Sequence, residues 1–124
     1  MAFDEYTAER ISQVFKEKKT DFEAKKMMGG LCYMVNGKMC CGTHIDKESG
    51  RSLLMARVGE DFYEEALLID GCQLMNFTGR TMKGYVFVTA EATDREEDLS
   101  FWIQKCIDFN PLAKASVKKK KKKV

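Results

Sequence analysis

The chain has 124 residues, a mass of 14.2 kDa and a hydrophobic fraction of 44%, enough to bury the core of one domain without disulfides or metals. No apolar run approaches the roughly 18 residues that would span a bilayer, and the first residues lack a signal peptide's basic and apolar regions, so we expect a cytoplasmic protein with no membrane contact. The formal net charge of +2 hides an uneven distribution, because the basic excess lies at the end of the chain.

The chain is predicted to begin with a helix. Asp4 is a suitable N-cap, and the helix that follows has Ile11, Val14 and Phe15 on one apolar stripe. Residues 22–29 show no clear period and are expected to form an irregular or extended segment.

A β-hairpin follows, centred on Asn36 and Gly37. These residues separate two strand-like runs, 31–35 and 38–42, and both positions of the tight turn require a positive φ, which Asn and Gly tolerate. A polar loop then leads to a third strand-like run, 53–58.

The second half alternates helix, strand and helix. Gly59 precedes a short helix that runs through Leu68, and residues 71–79 are expected to form a loop before a strand that starts at Met82 or Lys83. For the last helix, Thr93 and Glu96 have the spacing of a capping box. Its apolar stripe has a period of 3.6 residues and consists of Leu99, Trp102, Ile103, Cys106 and Ile107.

A basic tail ends the chain. Six of the 21 basic residues lie in it, and without them 15 basic residues face 19 acidic ones. We expect residues 113–124 to be disordered, because like charges repel and offer no apolar face, and we place the folded domain at residues 1–112. Such a tail attracts phosphate groups without sequence preference. Its lysines are Lys118, Lys119, Lys120, Lys121, Lys122 and Lys123.

This order of elements predicts an α+β fold. We expect a two-layer domain in which an antiparallel sheet of about five strands packs against helices, in the order α-β-β-β-α-β(β)-α.

Several motifs, in order along the chain, carry a resemblance to a known family. From roughly Asp4 to Phe109 the sequence resembles the N-terminal domain of the TfoX/Sxy competence regulators. The motifs are Lys-Lys-Met-Met-Gly-Gly-Leu at 25–31, Met-Val-Asn-Gly at 34–37, Arg-Val-Gly at 57–59, Tyr-Glu-Glu-Ala-Leu at 63–67, and the segment 77–88.

The resemblance implies the same α+β architecture, and no biochemical activity follows from it. The chain also departs from the family pattern at several positions. Met28 stands where the family usually has Phe, and Leu74 and Thr81 stand where prolines are common. Full-length competence regulators carry a second, C-terminal helical domain, and only a short tail follows Phe109 here. Control of DNA uptake therefore does not transfer to this chain from the resemblance.

The residues that could carry enzyme chemistry are few. His44 is the single histidine, which leaves no set of imidazoles for zinc. Cys40 and Cys41 precede it, but neighbouring residues of a regular strand face opposite sides, so we expect one buried and one outward thiol and no metal site. The five cysteines lack Cys-x-x-Cys spacing and are expected to be reduced. We assign no catalytic residue, metal or cofactor.

A weaker signal is a small group of cations. The segment from Gly79 to Gly84 has the glycine spacing of a phosphate loop, but it precedes a strand and lacks the Lys and Ser/Thr that such a loop requires. What remains is a glycine-bounded turn with Arg80 and Lys83, close to Arg57 at the end of another strand. These three side chains are a candidate patch for an anion or a partner, although the favoured explanation is a turn whose glycines supply positive φ and whose charges are solvated.

Tyr85 and Phe87 raise a further alternative. They alternate on one strand as the stacking aromatics of an RNA-recognition motif do. That fold requires a helix after its first strand, where Asn36-Gly37 instead forms a hairpin. We therefore expect both rings to be core residues beneath Trp102 and Ile103.

Taken together, the sequence predicts a non-enzymatic regulatory or interaction module. It would act through an unknown protein partner, as a monomer or homodimer, with non-specific attraction of nucleic acid by the tail. The alternative is a small enzyme or ligand-binding domain with an anion site at Arg57, Arg80 and Lys83.

Overall fold

The structure is a computed structural model that describes residues 3–27, 29–77 and 80–113, with the backbone alone at 27, 75–77 and 80–82. In this part of the chain there are three helices and six strands. The helices are α1 (Glu5–Glu17), α2 (Glu60–Leu67) and α3 (Glu96–Phe109), and 3₁₀ turns at Glu91–Thr93 and Asn110–Leu112 flank α3. The strands are β1 (Glu23–Met27), β2 (Gly30–Val35), β3 (Lys38–Ile45), β4 (Ser52–Arg57), β5 (Cys72–Phe77) and β6 (Arg80–Thr89).

The strands form one antiparallel sheet in the order β1-β2-β3-β4-β6-β5. This confirms the predicted α+β fold and its order of elements. The sheet has six strands because residues 23–27, expected to be irregular or extended, pair with β2, and because residues 72–77, expected to be a loop, pair with β6. No helix in the described residues is long and apolar enough to cross a membrane.

The main core lies between the sheet and the helices, which cover one of its faces. Trp102, Ile103 and Phe15 are almost completely buried there. The apolar stripes predicted for α1 and α3 are confirmed, since their members pack on alternate residues of β4 and β6, such as Leu54 and Val86.

A second, smaller core lies on the other face of the sheet and is built from strand residues. Tyr85 and Phe87 belong to this cluster, so their predicted place beneath Trp102 and Ile103 is wrong. The physical reason is strand alternation: Val86 and Val88 take the helix side of β6, which leaves the two rings on the opposite side. The buried members of the cluster are Cys32, Met34, Met39 and Met55.

The helix ends differ in how well the sequence predicted them. Asp4 is the N-cap of α1, and its carboxylate accepts a hydrogen bond from the Thr7 N–H at 3.2 Å. The capping box at the start of α3 is wrong, because Arg95 is the N-cap and makes no side-chain cap bond. Thr93 lies in the preceding 3₁₀ turn, where its hydroxyl approaches the Thr89 carbonyl at 3.4 Å.

A β-bulge in β3 changes where two thiols point. Tyr33 pairs with Cys41 and Met34 pairs with Met39, so Cys40 is an extra residue in β3. Cys40 and Cys41 consequently both face the helix-side core, with exposures of 1% and 0%. The expectation of one buried and one outward thiol is wrong, because it assumed a regular strand.

Candidate functional site

The candidate site lies where β6 bends. Leu74 of β5 pairs with Val86, but the next pair is Asn76 with Thr81, so residues 82–85 of β6 lie opposite Met75 alone. A stretch of several residues in one strand that faces a single residue of the partner strand is a pronounced β-bulge. Such a bulge bends the strand that carries the extra residues.

The bend is fixed by backbone hydrogen bonds from the neighbouring segment. Gly84, with a φ of 92°, accepts bonds at its carbonyl from the N–H groups of Val58 (2.9 Å) and Gly59 (3.0 Å). These two donors connect the end of β4 to the start of α2. The strand therefore bends against the segment that carries Arg57, and the two predicted cations Arg57 and Lys83 come together.

A cleft of about 250 Å³ opens at this junction. Its walls are the end of β4, the start of α2, the bend of β6 and the chain that follows α3. The lining residues are Arg57, Gly59, Glu60, Lys83, Gly84, Tyr85, Phe109 and Leu112.

Arg57 is held in place inside this cleft. Its guanidinium lies 5.2 Å from the ring centre of Tyr85 and 5.8 Å from that of Phe109, and it donates a hydrogen bond to the Met39 carbonyl at 3.3 Å. Contacts of a cation with the faces of aromatic rings are favourable. Arg57 is thus a positioned, half-buried charge between two aromatic rings.

Gly59 allows the Phe109 ring to approach the backbone. A Cβ at this position would lie 2.4 Å from the ring, and the φ of 86° is one that side chains disfavour. The aromatic wall of the cleft therefore depends on this glycine.

The three predicted cations have different outcomes. Lys83 is exposed at the rim of the same cleft as Arg57, so these two are brought together. The side chain of Arg80 lies outside the described part of the structure. The segment that carries Arg80 and Lys83 is a bent strand, which corrects the prediction of a turn. Glu60, Phe109 and Leu112 were not predicted, since they reach the cleft only through the tertiary fold.

The cleft combines charge with apolar surface. Leu112 is 73% exposed at its edge, and two aromatic rings line it. Glu60 contributes one negative charge against the two positive charges of Arg57 and Lys83. In the described residues no ion pair involves Lys83, so its charge faces solvent.

A larger cleft, of about 410 Å³, lies between α1 and the loop that joins β3 to β4. The two arginines that line it already have internal partners. Arg10 donates to a Glu96 carboxylate oxygen at 2.9 Å and to the Thr93 carbonyl at 2.8 Å, and Arg51 pairs with Glu91. These contacts fasten α1 and the β3–β4 loop to the segment before α3, which is a structural role.

The single histidine is poorly placed for proton transfer at neutral pH. Burial lowers the pKa of His44, and its Nδ1 has no hydrogen-bond partner in the described residues. Its ring lies 5.2 Å from that of Phe87, on the face of the sheet away from the helices. His44 is therefore a neutral packing residue.

Three of the thiols are unsuited to nucleophilic chemistry. A hydrogen bond with Cys40 and burial raise the pKa of Cys41, burial raises that of Cys106, and burial raises the pKa of Cys72 to about 11. A raised pKa removes the reactive thiolate. All five cysteines are free, and in the described residues no group of three or more ligand side chains is arranged to hold a metal.

Comparison with known proteins agrees with the resemblance seen in the sequence motifs. No curated protein and no solved structure matched the chain. A scan against protein families matched residues 17–110, which is most of the chain and includes the sheet, α2 and α3. The family is the TfoX N-terminal domain, and the chain belongs to it.

Proposed function

We propose that this protein is a non-enzymatic interaction module that binds a short segment of a partner protein at the cleft beside Arg57 and Lys83. The observation that carries this proposal is the pairing of these two cations with the Tyr85 and Phe109 rings and the exposed Leu112. Membership of the TfoX N-terminal domain family supports a regulatory or interaction role in general.

The size of the cleft favours one side chain of a partner over a cofactor. Sites for drug-sized ligands usually have volumes of about 300–1,000 Å³, and this cleft has about 250 Å³. Its apolar wall suits a leucine-sized anchor. Arginine and tyrosine are also the residue types that contribute most to many protein interfaces.

The charges favour an acidic neighbour for that anchor. Arg57 and Lys83 outnumber Glu60 at the cleft, so a carboxylate beside the anchor is attracted to it. Because Lys83 is exposed, its contribution is limited to about 0.2–1 kcal/mol. We therefore expect the apolar anchor to supply most of the affinity and the charges to supply selectivity.

Peptide titration monitored by NMR tests this proposal. The probe is a short peptide with one leucine between glutamates, and its controls replace the leucine with serine or the glutamates with lysines. We expect the probe to bind with a dissociation constant near 1 mM, equivalent to about −4 kcal/mol, and to shift the resonances of cleft residues. Neither control should bind comparably.

Matched charge reversals locate the site. Lys83→Glu should weaken binding about three- to tenfold, since it replaces a weak attraction with a repulsion of similar size. Lys25→Glu makes the same change on β1, at the far edge of the sheet, and should have no effect. Equal effects of the two variants, or shifts confined to another surface, would refute the site.

The alternative from the sequence is a ligand-binding domain or enzyme with an anion site at Arg57, Arg80 and Lys83. Inorganic phosphate is its probe in the same NMR experiment. Binding of phosphate at the cleft, together with no binding of the leucine peptide, would favour that alternative over the interaction module.

A further inference from the structure

The two edges of the sheet differ in charge. Edge strand β1 contains Glu23, Lys25 and Lys26, and charges of this kind hinder pairing with another strand. Edge strand β5 has the sequence Cys-Gln-Leu-Met-Asn-Phe and contains neither a charged residue nor a proline. Among the described strands, β5 is therefore the edge whose own sequence does not oppose an additional strand.

The hydrogen-bond pattern shows which backbone groups of β5 face outward. The Thr89 N–H donates to the Gly71 carbonyl at 2.9 Å, so Gly71 and Thr89 are a hydrogen-bonded pair. In an antiparallel ladder such pairs alternate, so Gln73 exchanges bonds with Phe87 and Leu74 does not bond to Val86. The N–H and C=O groups of Leu74 consequently point away from the sheet.

Exposed leucines flank this edge. Leu74 is 50% exposed, and Leu68, at the end of α2, is 85% exposed. The turn between them is well fixed, because the Cys72 N–H donates to the Ile69 carbonyl at 3.1 Å and Gly71 packs closely on Ala92. We name the outward edge of β5 at Leu74, together with the turn that leads into it, the β5 edge surface.

We propose that the β5 edge surface joins two copies of this chain, with β5 pairing antiparallel to its own symmetry mate. A two-fold axis perpendicular to the sheet and near Leu74 would make one continuous twelve-stranded sheet. This axis keeps the helices of both copies on the same face, so the two Leu74 side chains, which share the helix side of the sheet with Val86, meet across it. The occupant is a second copy because an uncharged strand pairs with itself without bringing like charges together.

The two β5 strands pair over only a few residues, and this limits the affinity of the dimer. Near the axis each Leu74 supplies one donor and one acceptor, and the bulge after Leu74 limits how far the ladder extends. Each backbone bond contributes little net free energy, because the same groups are hydrogen-bonded to water before the copies associate. We therefore expect a reversible dimer that forms at micromolar or higher concentration, without a change in the fold of the monomer.

Sedimentation equilibrium of the full chain, from low micromolar to near-millimolar concentration, measures this association. Leu74→Lys places like charges at the axis, and Leu74→Pro removes an outward donor that β6 does not use. Each should weaken dimerisation at least about tenfold. The control Ala24→Lys adds the same charge to exposed β1 and should leave the dimer intact.

Hydrogen exchange of the wild-type chain gives a second measure of dimerisation that requires no variant. The Leu74 amide should become more protected as protein concentration rises, while amides of β1 should not. A wild type that stays monomeric at the highest concentration would overturn the proposal. A dimer that persists unchanged in Leu74→Lys and Leu74→Pro would also overturn it, because it must use another surface.

Discussion

Replacing Trp102 with alanine tests the role of α3 as the lid of the main core. Trp102 is 2% exposed and makes edge-to-face contacts with Phe62, whose ring centre lies 6.4 Å away. Removing a buried aromatic side chain of this size costs about 3–5 kcal/mol, since the surroundings collapse only partly into the cavity. This is a large share of the ~5–15 kcal/mol that stabilises a typical domain.

Urea unfolding followed by far-UV circular dichroism measures this cost. Trp102 is the single tryptophan, so the variant has no tryptophan fluorescence and its unfolding cannot be compared with that of the wild type by this signal. At the middle of both ranges, a cost of about 4 kcal/mol and a denaturant dependence of about 2 kcal/mol per molar urea lower the midpoint by roughly 2 M.

Phe101→Ala is the matched control, because Phe101 is the neighbouring aromatic residue on α3 but is 40% exposed. Part of its surface already contacts water, so its removal should cost about 1–2 kcal/mol. If Trp102→Ala barely moves the midpoint, or if both variants cost the same, α3 does not cover the core as described.

Two further predictions concern pH and the tail. Burial holds the pKa of His44 in the folded protein below its ordinary value of 6.5. The unfolded chain therefore binds the proton more readily, and the free energy of unfolding should fall as the pH decreases through about 6.5. His44→Gln should flatten the stability profile between neutral and mildly acidic pH, and an unchanged profile would exclude His44 as its source. For the tail, a chain ending at Ala113 should lose nucleic-acid binding. The full chain should bind duplex DNA without sequence preference, with a log–log salt slope of about −5. Retained binding by the shortened chain would locate the site in the domain instead.

Local signals predicted the elements whose structure depends on nearby residues. The hairpin at Asn36-Gly37 is present, with Asn36 at a φ of 55° and Gly37 at 77°, because a two-residue turn imposes its own backbone requirement. The stripe of α3 was equally clear, since one helix period places all its apolar residues on one side.

Elements that depend on distant partners were not predictable in the same way. Strand β1 contains Glu-Ala-Lys-Lys-Met, which shows no strand alternation, and it forms because β2 offers a complete set of pairing groups. The bulge at Cys40 also depends on the partner strand. Reading β3 as regular therefore placed Cys40 and Cys41 on opposite faces, whereas both are buried beneath the helices.

The candidate site shows the same division between local and distant determinants. The sequence placed Arg57 at a strand end and Lys83 in a glycine-bounded segment, and it suggested that they lie close together. It did not indicate Phe109 or Leu112, which arrive from the end of α3. A residue can be assigned to an element from its neighbours in sequence, but the wall that faces it depends on how the elements pack.

Gly84 explains why the two cations share one cleft. Its carbonyl accepts from both Val58 and Gly59, and its φ of 92° is costly for any other residue. A Cβ there would lie 3.5 Å from the backbone of Gly59, an ordinary van der Waals distance, so the backbone conformation of Gly84 and not a lack of space disfavours other residues. The approach of β6 to the start of α2 is thus made by backbone atoms, so the side chains that line the cleft, including Lys83 and Leu112, can vary in charge and shape while the cleft itself is retained. A fixed frame with variable walls suits the proposed recognition of one partner segment rather than another.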